Sequence, residues 1–179
     1  YLKVKEKIEL KEGDRKISIE PSEETLEVEF ELNYKNKIIG KQKNNINFQT
    51  DDLSEMYSSR TFCLYEDIEK IKKAGLAKGG SLDNAVVVDE DKILNKNGLR
   101  NTKEFVNHKI LDLAGDFLLS GMRILGKVKC VQGGHELTNL FLRKLLNEKN
   151  LLIKYEKEDV GFLTKKIKPS KSIKLAVNA

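Results

Sequence analysis

The stretch from residue 123 to residue 146, RILGKVKCVQGGHELTNLFLRKLL, changes its period partway along. Residues 123–131 alternate apolar and polar side chains, the signature of a half-buried strand. After Gly133-Gly134 the apolar residues of 135–146 recur at helical spacing along one face. One strand and one helix, each with a single apolar side, must bury those sides against each other or against similar elements.

Working outward, the two periods sort to different halves of the chain. Residues 3–10 alternate, Gly13-Asp14 marks a turn, and residues 16–20 alternate again up to Pro21. Residues 25–32 (TLEVEFEL) form a strong period-two segment, followed by a polar turn at 34–37 and a short strand at 45–49. Residues 52–57 suit about one helical turn. Next comes a strand over 60–64, helical spacing over 65–74 ending at Gly75, a tight loop at Gly79-Gly80, and a buried strand at Ala85–Asp89 (AVVVD). This is a strand–helix–strand unit. The main helix follows, with Thr102 as N-cap, Glu104 in its first turn and Gly121 at its end. Residues 151–154 supply a last short strand. The expected class is α+β: a two-layer sandwich of a mostly antiparallel sheet packed on two main helices, with a small strand–helix–strand insert.

The chain has 179 residues, 39% hydrophobic and 34% charged, which suits one domain or two small lobes. No apolar run approaches the roughly 20 residues that span a bilayer. No secretory signal is visible, and the chain begins with Tyr1 rather than Met, as expected of a processed product, a domain or a fragment. Cys63 and Cys130 are too few for a disulfide framework and lack zinc-finger spacing. Both sit in apolar contexts and read as reduced core thiols, which favours the cytosol. The net charge of +5 resides beyond residue 148; residues 1–148 carry 25 basic and 25 acidic side chains. A basic tail can attract nucleic acid or anionic lipid, or be a solvated terminus. It has no aromatic interleaving for base stacking, so no nucleic-acid partner is expected.

The chemistry concentrates in His108, Asp112 and Asp116, spaced four apart on the main helix, and in His135 at the glycine-preceded start of the next. These are the only two histidines. Residues four apart stack on one helix face. An imidazole and a carboxylate so placed can hold one Zn²⁺, supplying two of the three protein ligands usual for a catalytic zinc. The same spacing also describes an ordinary surface His–Asp pair. Carboxylates on a largely apolar helix need partners. Asp116 paired with His135 would favour the imidazolium, which can stabilise an oxyanion or protonate a leaving amine; His135 could equally be a polar helix-start residue. Thr61 could donate to an oxyanion or serve only β-propensity. Lys109 adds a cation beside the ladder, for a substrate oxygen or for solvent.

Residues 59–100 (SRTFCLYEDIEKIKKAGLAKGGSLDNAVVVDEDKILNKNGLR), 104–121 (EFVNHKILDLAGDFLLSG) and 133–139 (GGHELTN) closely resemble the second domain of bacterial UDP-3-O-acyl-N-acetylglucosamine deacetylases, zinc enzymes of lipid A synthesis. The amino-terminal strands match more loosely and the tail hardly at all. The resemblance implies His108 and Asp112 as zinc ligands, His135 as the catalytic histidine, Asp116 as the carboxylate holding it, and Thr61 as the oxyanion-side hydroxyl. It implies substrate contacts for Lys109, and for Phe62 and Asp67 near the sugar and nucleotide. Residues 61–88 match the insert that forms the family's acyl-chain passage, with Leu64, Ile68, Ala77, Ser81, Ala85 and Val87 along it. Cys63 and Leu64 stand where many relatives have a glycine and an aromatic residue. The family's first domain carries an adjacent Glu-His pair, the general base and third zinc ligand, and this chain has no such pair. The expectation is therefore a second domain over 1–160 and a basic, poorly ordered tail over 161–179, with the first domain preceding Tyr1. As part of that larger protein it is expected to be a monomeric, cytoplasmic, zinc-dependent deacetylase of a Gram-negative bacterium, close to the inner membrane. Alone it is expected to be inactive. The alternative is a stand-alone module that binds acyl-sugar or nucleic acid without catalysis.

Overall fold

A computed structural model of the chain describes residues 1–148 and 152–154. The tail expected over 161–179, and the domain boundary at 160, lie outside the described residues. In chain order the elements are β1 (Leu2–Val4), β2 (Ile8–Glu12), β3 (Arg15–Glu20), β4 (Leu26–Asn33), β5 (Lys41–Asn47), α1 (Ser54–Tyr57), β6 (Thr61–Leu64), α2 (Ile68–Lys73), β7 (Ala85–Asp89), β8 (Lys92–Ile93), α3 (Glu104–Phe117), β9 (Ile124–Val131), α4 (His135–Asn147) and β10 (Leu152–Lys154).

β9 is the middle of the main sheet. On one side β4 runs parallel to it, from Leu26 opposite Gly126 to Glu31 opposite Val131. On the other side β1 pairs in parallel with its first two residues and β3 antiparallel with residues 127–131. Three antiparallel pairings extend the sheet: β5 on β4, β2 on β3 and β10 on β1. The sheet is thus mostly antiparallel and packs on α3 and α4, an α+β sandwich. β6, β7 and β8 form a separate small sheet, β6 and β7 parallel across α2.

Period-two alternation decides which side chains enter the core. Val128 and Cys130 of β9, Val28, Phe30 and Leu32 of β4, and Ile17 and Ile19 of β3 are buried. They meet Phe105, Ile110, Leu113 and Phe117 of α3 and Leu137, Phe141 and Leu145 of α4. Phe117 and Phe141 stack at 6.3 Å between ring centroids and join the two helices. The opposite face of the sheet carries charge, with Lys41 on Glu31 and Lys43 on Glu29 across the β4–β5 pair. Such exposed pairs add little stability but keep that face wet.

The alternation over residues 3–10 belongs to two strands, not one. β1 pairs with β9 and β10 while β2 pairs with β3, so the chain must turn between them. The strand expected at 45–49 begins earlier, because β5 follows β4 back from Lys41. Thr102 does not cap α3; the Asn101 side-chain oxygen accepts the Lys103 N–H at 3.1 Å.

The start of α3 rests instead on Glu104, which is fully buried. Its carboxylate accepts the Arg60 Nε–H at 2.8 Å, the Arg60 backbone N–H at 3.0 Å and the Arg100 backbone N–H at 2.7 Å. Burial alone would raise the Glu104 pKa, but these hydrogen bonds outweigh it and hold the carboxyl below its ordinary value. The two glycines before α4 are not equivalent. A Cβ on Gly133 would overlap the Cys130 sulfur and crowd the Phe30 ring, whereas nothing lies within 4 Å of one on Gly134.

Two outcomes follow from this packing. Gly133→Ala is expected to destabilise the fold by about 1–3 kcal/mol and Gly134→Ala by less than about 1 kcal/mol, measured by urea unfolding. Glu104→Ala, which strands Arg60, should cost about 3–5 kcal/mol. The folded pKa of Glu104 lies below its unfolded one. Its contribution is therefore complete above about pH 4.3 and fades as pH falls through the depressed value. Glu104→Gln should flatten that acid limb of the stability–pH curve.

Candidate functional site

Three elements converge at one end of the helical layer: the exposed face of α3, the first residue of α4, and the end of β6. The i, i+4, i+8 spacing aligns His108, Asp112 and Asp116 along α3. His108 Nε2 lies 3.3 Å from Asp112 Oδ1. Lys109 Nζ lies 3.0 Å from Asp112 Oδ2. His135 enters from α4 with Nδ1 2.9 Å from Asp116 Oδ2 and Nε2 3.9 Å from Asp112 Oδ2. The carboxylates are mostly buried, while the His135 side chain is 69% exposed. His135 thus hangs over the ladder, held at one nitrogen and open at the other.

His108 Nδ1 faces the Ser59 carbonyl oxygen at 3.3 Å. A carbonyl only accepts, so a neutral His108 carries its proton on Nδ1 and a lone pair on Nε2. Burial lowers the His108 pKa, with Lys109 and His135 adding to it against the Asp112 charge. A neutral nitrogen lone pair and a carboxylate oxygen 3.3 Å apart are both acceptors, and such a pair is satisfied by a cation between them. The donor set fits Zn²⁺. Among the described residues no group of three or more His, Cys, Asp or Glu side chains is arranged to hold a metal.

Phe62 braces the site from β6. Its ring meets Phe105 edge-on at 4.9 Å and His108 at 6.4 Å, and Lys109 Nζ sits 5.6 Å from its centre. Thr61 is exposed beside it. Asp67 pairs with Lys70 at 3.0 Å, out in the insert. From Thr61 and Phe62 a cavity of about 680 Å³ runs into the insert, walled mainly by apolar side chains. Ile68, Ala77, Ser81, Ala85 and Val87 line it. Leu64 does not: it packs against the core, and Cys63 before it lines the wall. Cys63 is therefore not a core thiol, although burial and the nearby Asp67 charge raise its pKa. Cys130 is in the core, its pKa pushed up to about 12 by burial. Ile71, Leu82 and Leu94 also line the cavity; each stands in the apolar pattern of the insert, but no spacing rule marks it as a wall. No helix among the described residues is long and apolar enough to cross a membrane.

Known proteins share this arrangement of sequence. The family model of UDP-3-O-acyl N-acetylglycosamine deacetylase matches residues 1–147. The UDP-3-O-acyl-N-acetylglucosamine deacetylase of Nitratiruptor sp. is 40% identical over 148 residues, 82% of this chain and 49% of its own length. That of Pseudoalteromonas translucida is 42% identical over 149 residues, again 82% and 49%. That of Nautilia profundicola is 37% identical over 160 residues, 88% and 54%. The chain spans about half the length of the curated relatives it matches. With a match that takes in the sheet, the insert and both site-bearing helices, the chain belongs to the UDP-3-O-acyl N-acetylglycosamine deacetylase family.

Proposed function

We propose that this chain is the acyl-passage half of a zinc-dependent amide hydrolase that removes the acetyl group from UDP-3-O-acyl-N-acetylglucosamine in lipid A synthesis. The observation that carries the reading is the meeting of the His108–Asp112 and Asp116–His135 pairs on one helix face, with Phe62 of the cavity wall set edge-on to His108. Family membership supports the substrate class. A general base and a third metal ligand would come from a further domain of the same protein, since the chain spans about half of its relatives. The setting would be the bacterial cytoplasm near the inner membrane.

His108 Nε2 and Asp112 would hold the zinc. When bound, Zn²⁺ supplies Lewis-acid polarisation and a water acidic enough to be deprotonated near neutral pH. Thr61 would donate its hydroxyl hydrogen to the developing oxyanion. His135, protonated and oriented by Asp116, would give its proton to the departing nitrogen as the C–N bond breaks. Acetate and a free amine result, and His135 is reprotonated from solvent. Lys109 would bind a substrate oxygen from its place over the Phe62 ring. Asp67 would lie toward the nucleotide. The cavity would take the 3-O-acyl chain, gaining about 0.8 kcal/mol per buried CH₂.

In the full-length protein, Asp112→Ala should strip bound zinc, read by elemental mass spectrometry. Asp116→Ala should retain zinc, lower kcat and reshape its pH profile, because Asp116 touches only His135 in this cluster. Equal zinc loss in both variants would reverse the assignment. His135→Ala should lower kcat by about 10²–10⁴ with zinc retained; turnover at the unaltered rate would refute its role.

A further inference from the structure

We infer that Asn95 is a positioning residue that sets the bore of the insert's cavity, and with it the length of chain the cavity accepts. The inference rests on the reading of that cavity as an acyl passage.

β8 is only two residues long and pairs with β7 at Val88 and Asp89. Leu94 continues the ladder by one bond, its N–H donating to the Val87 carbonyl at 2.9 Å. Beyond that point the strand ends, and a side chain replaces it. Asn95 is buried. Its Oδ1 accepts the Val87 N–H at 3.0 Å, and its Nδ2 donates to the Ala85 carbonyl at 2.7 Å and the Leu82 carbonyl at 2.6 Å. One amide thus satisfies the open edge of β7 as a neighbouring strand would, and reaches back to the preceding turn.

All three partners belong to the cavity wall or carry it. Leu82, Ala85 and Val87 line the cavity, as does Leu94 beside Asn95. The turn that joins this wall to the α2 side is held by a second amide. Asn84 Oδ1 accepts the Ser81 N–H at 2.9 Å and Asn84 Nδ2 donates to the Gly79 carbonyl at 2.9 Å. Asn84 is exposed, so water can replace its bonds; the bonds of Asn95 have no such substitute. Asn95 touches none of the metal-site residues. Its effect on a ligand passes through the spacing of the Leu82–Ala85 wall from the Ile68–Ile71 side.

The test is binding of straight-chain fatty acids of graded length to the full chain, by calorimetry, with thermal unfolding measured in parallel. The unaltered protein should tighten by about fourfold per methylene up to a limiting length. Asn95→Asp keeps the acceptor for Val87 but turns an oxygen on two carbonyls. It should weaken all chains by about tenfold and shift the limiting length. Asn95→Gln keeps both hydrogen-bonding functions one methylene further out, and should fold and bind with a changed limiting length. A general loss of stability would weaken binding without moving that limit. If Asn95→Gln and Asn95→Asp both keep the original limit, the inference falls while the acyl passage stands. If the unaltered chain shows no saturable binding, the passage reading falls and this inference with it.

Discussion

The buried ion pair between Glu104 and Arg60 is the joint on which the site depends. It fixes the first turn of α3 to the segment that leads into β6 and, through the Arg100 N–H, to the loop before the helix. Three consequences lie within a few residues of it. The Ser59 carbonyl comes to face His108 Nδ1. Phe62 comes to lie on Phe105 and beside Lys109. Phe62, which also lines the insert's cavity, brings that wall against α3. A buried ion pair is a weak source of net stability, because desolvation offsets attraction. Its value here is geometric: four donors on one carboxylate leave a single arrangement of β6 against α3.

That arrangement sets two environments side by side. One is polar and anionic, with Asp112 and Asp116 sharing their charge among His108, Lys109 and His135. The other is the apolar interior of the insert. In β6, Leu64 packs on the core and Thr61 and Cys63 line the cavity, while Phe62 touches both. The same holds for β7, with Val86 and Val88 in the core and Ala85 and Val87 on the cavity.

Much of this was legible in the order of residues. Periods of two and of 3.6 placed β4, β9, α3 and α4, and the spacing of His108, Asp112 and Asp116 placed them on one helix face. What was not legible depends on partners distant in the chain. Residues 3–10 alternate without a break, and only the pairing of β1 with β9 and of β2 with β3 divides them. The parallel pairing of β4 with β9 has no local signature. The resemblance implies Leu64 along the passage, whereas its side chain packs against the core. Glu104 and Asn95 carry no pattern that distinguishes them from surface residues, because their partners, backbone groups and for Glu104 also the Arg60 guanidinium, are brought near by the fold.

The central pairing of β9 with β4 also orders events in time. Leu26 and Gly126 are opposite each other in the sheet but lie far apart along the chain, and everything that bears the site except His135 lies between them. Closing a loop of that length is a slow, entropically costly step, of the kind that dominates folding rates in proteins rich in non-local contacts. β9 has no lateral support from β4 until the loop closes, and α4, which carries His135, follows β9 directly. The Asp116–His135 pair spans two helices and the strand between them, so it needs tertiary packing that the pairs within α3 do not. The His108–Asp112 pair lies within one helix, whereas His135 reaches Asp116 only when the chain has folded back through β9.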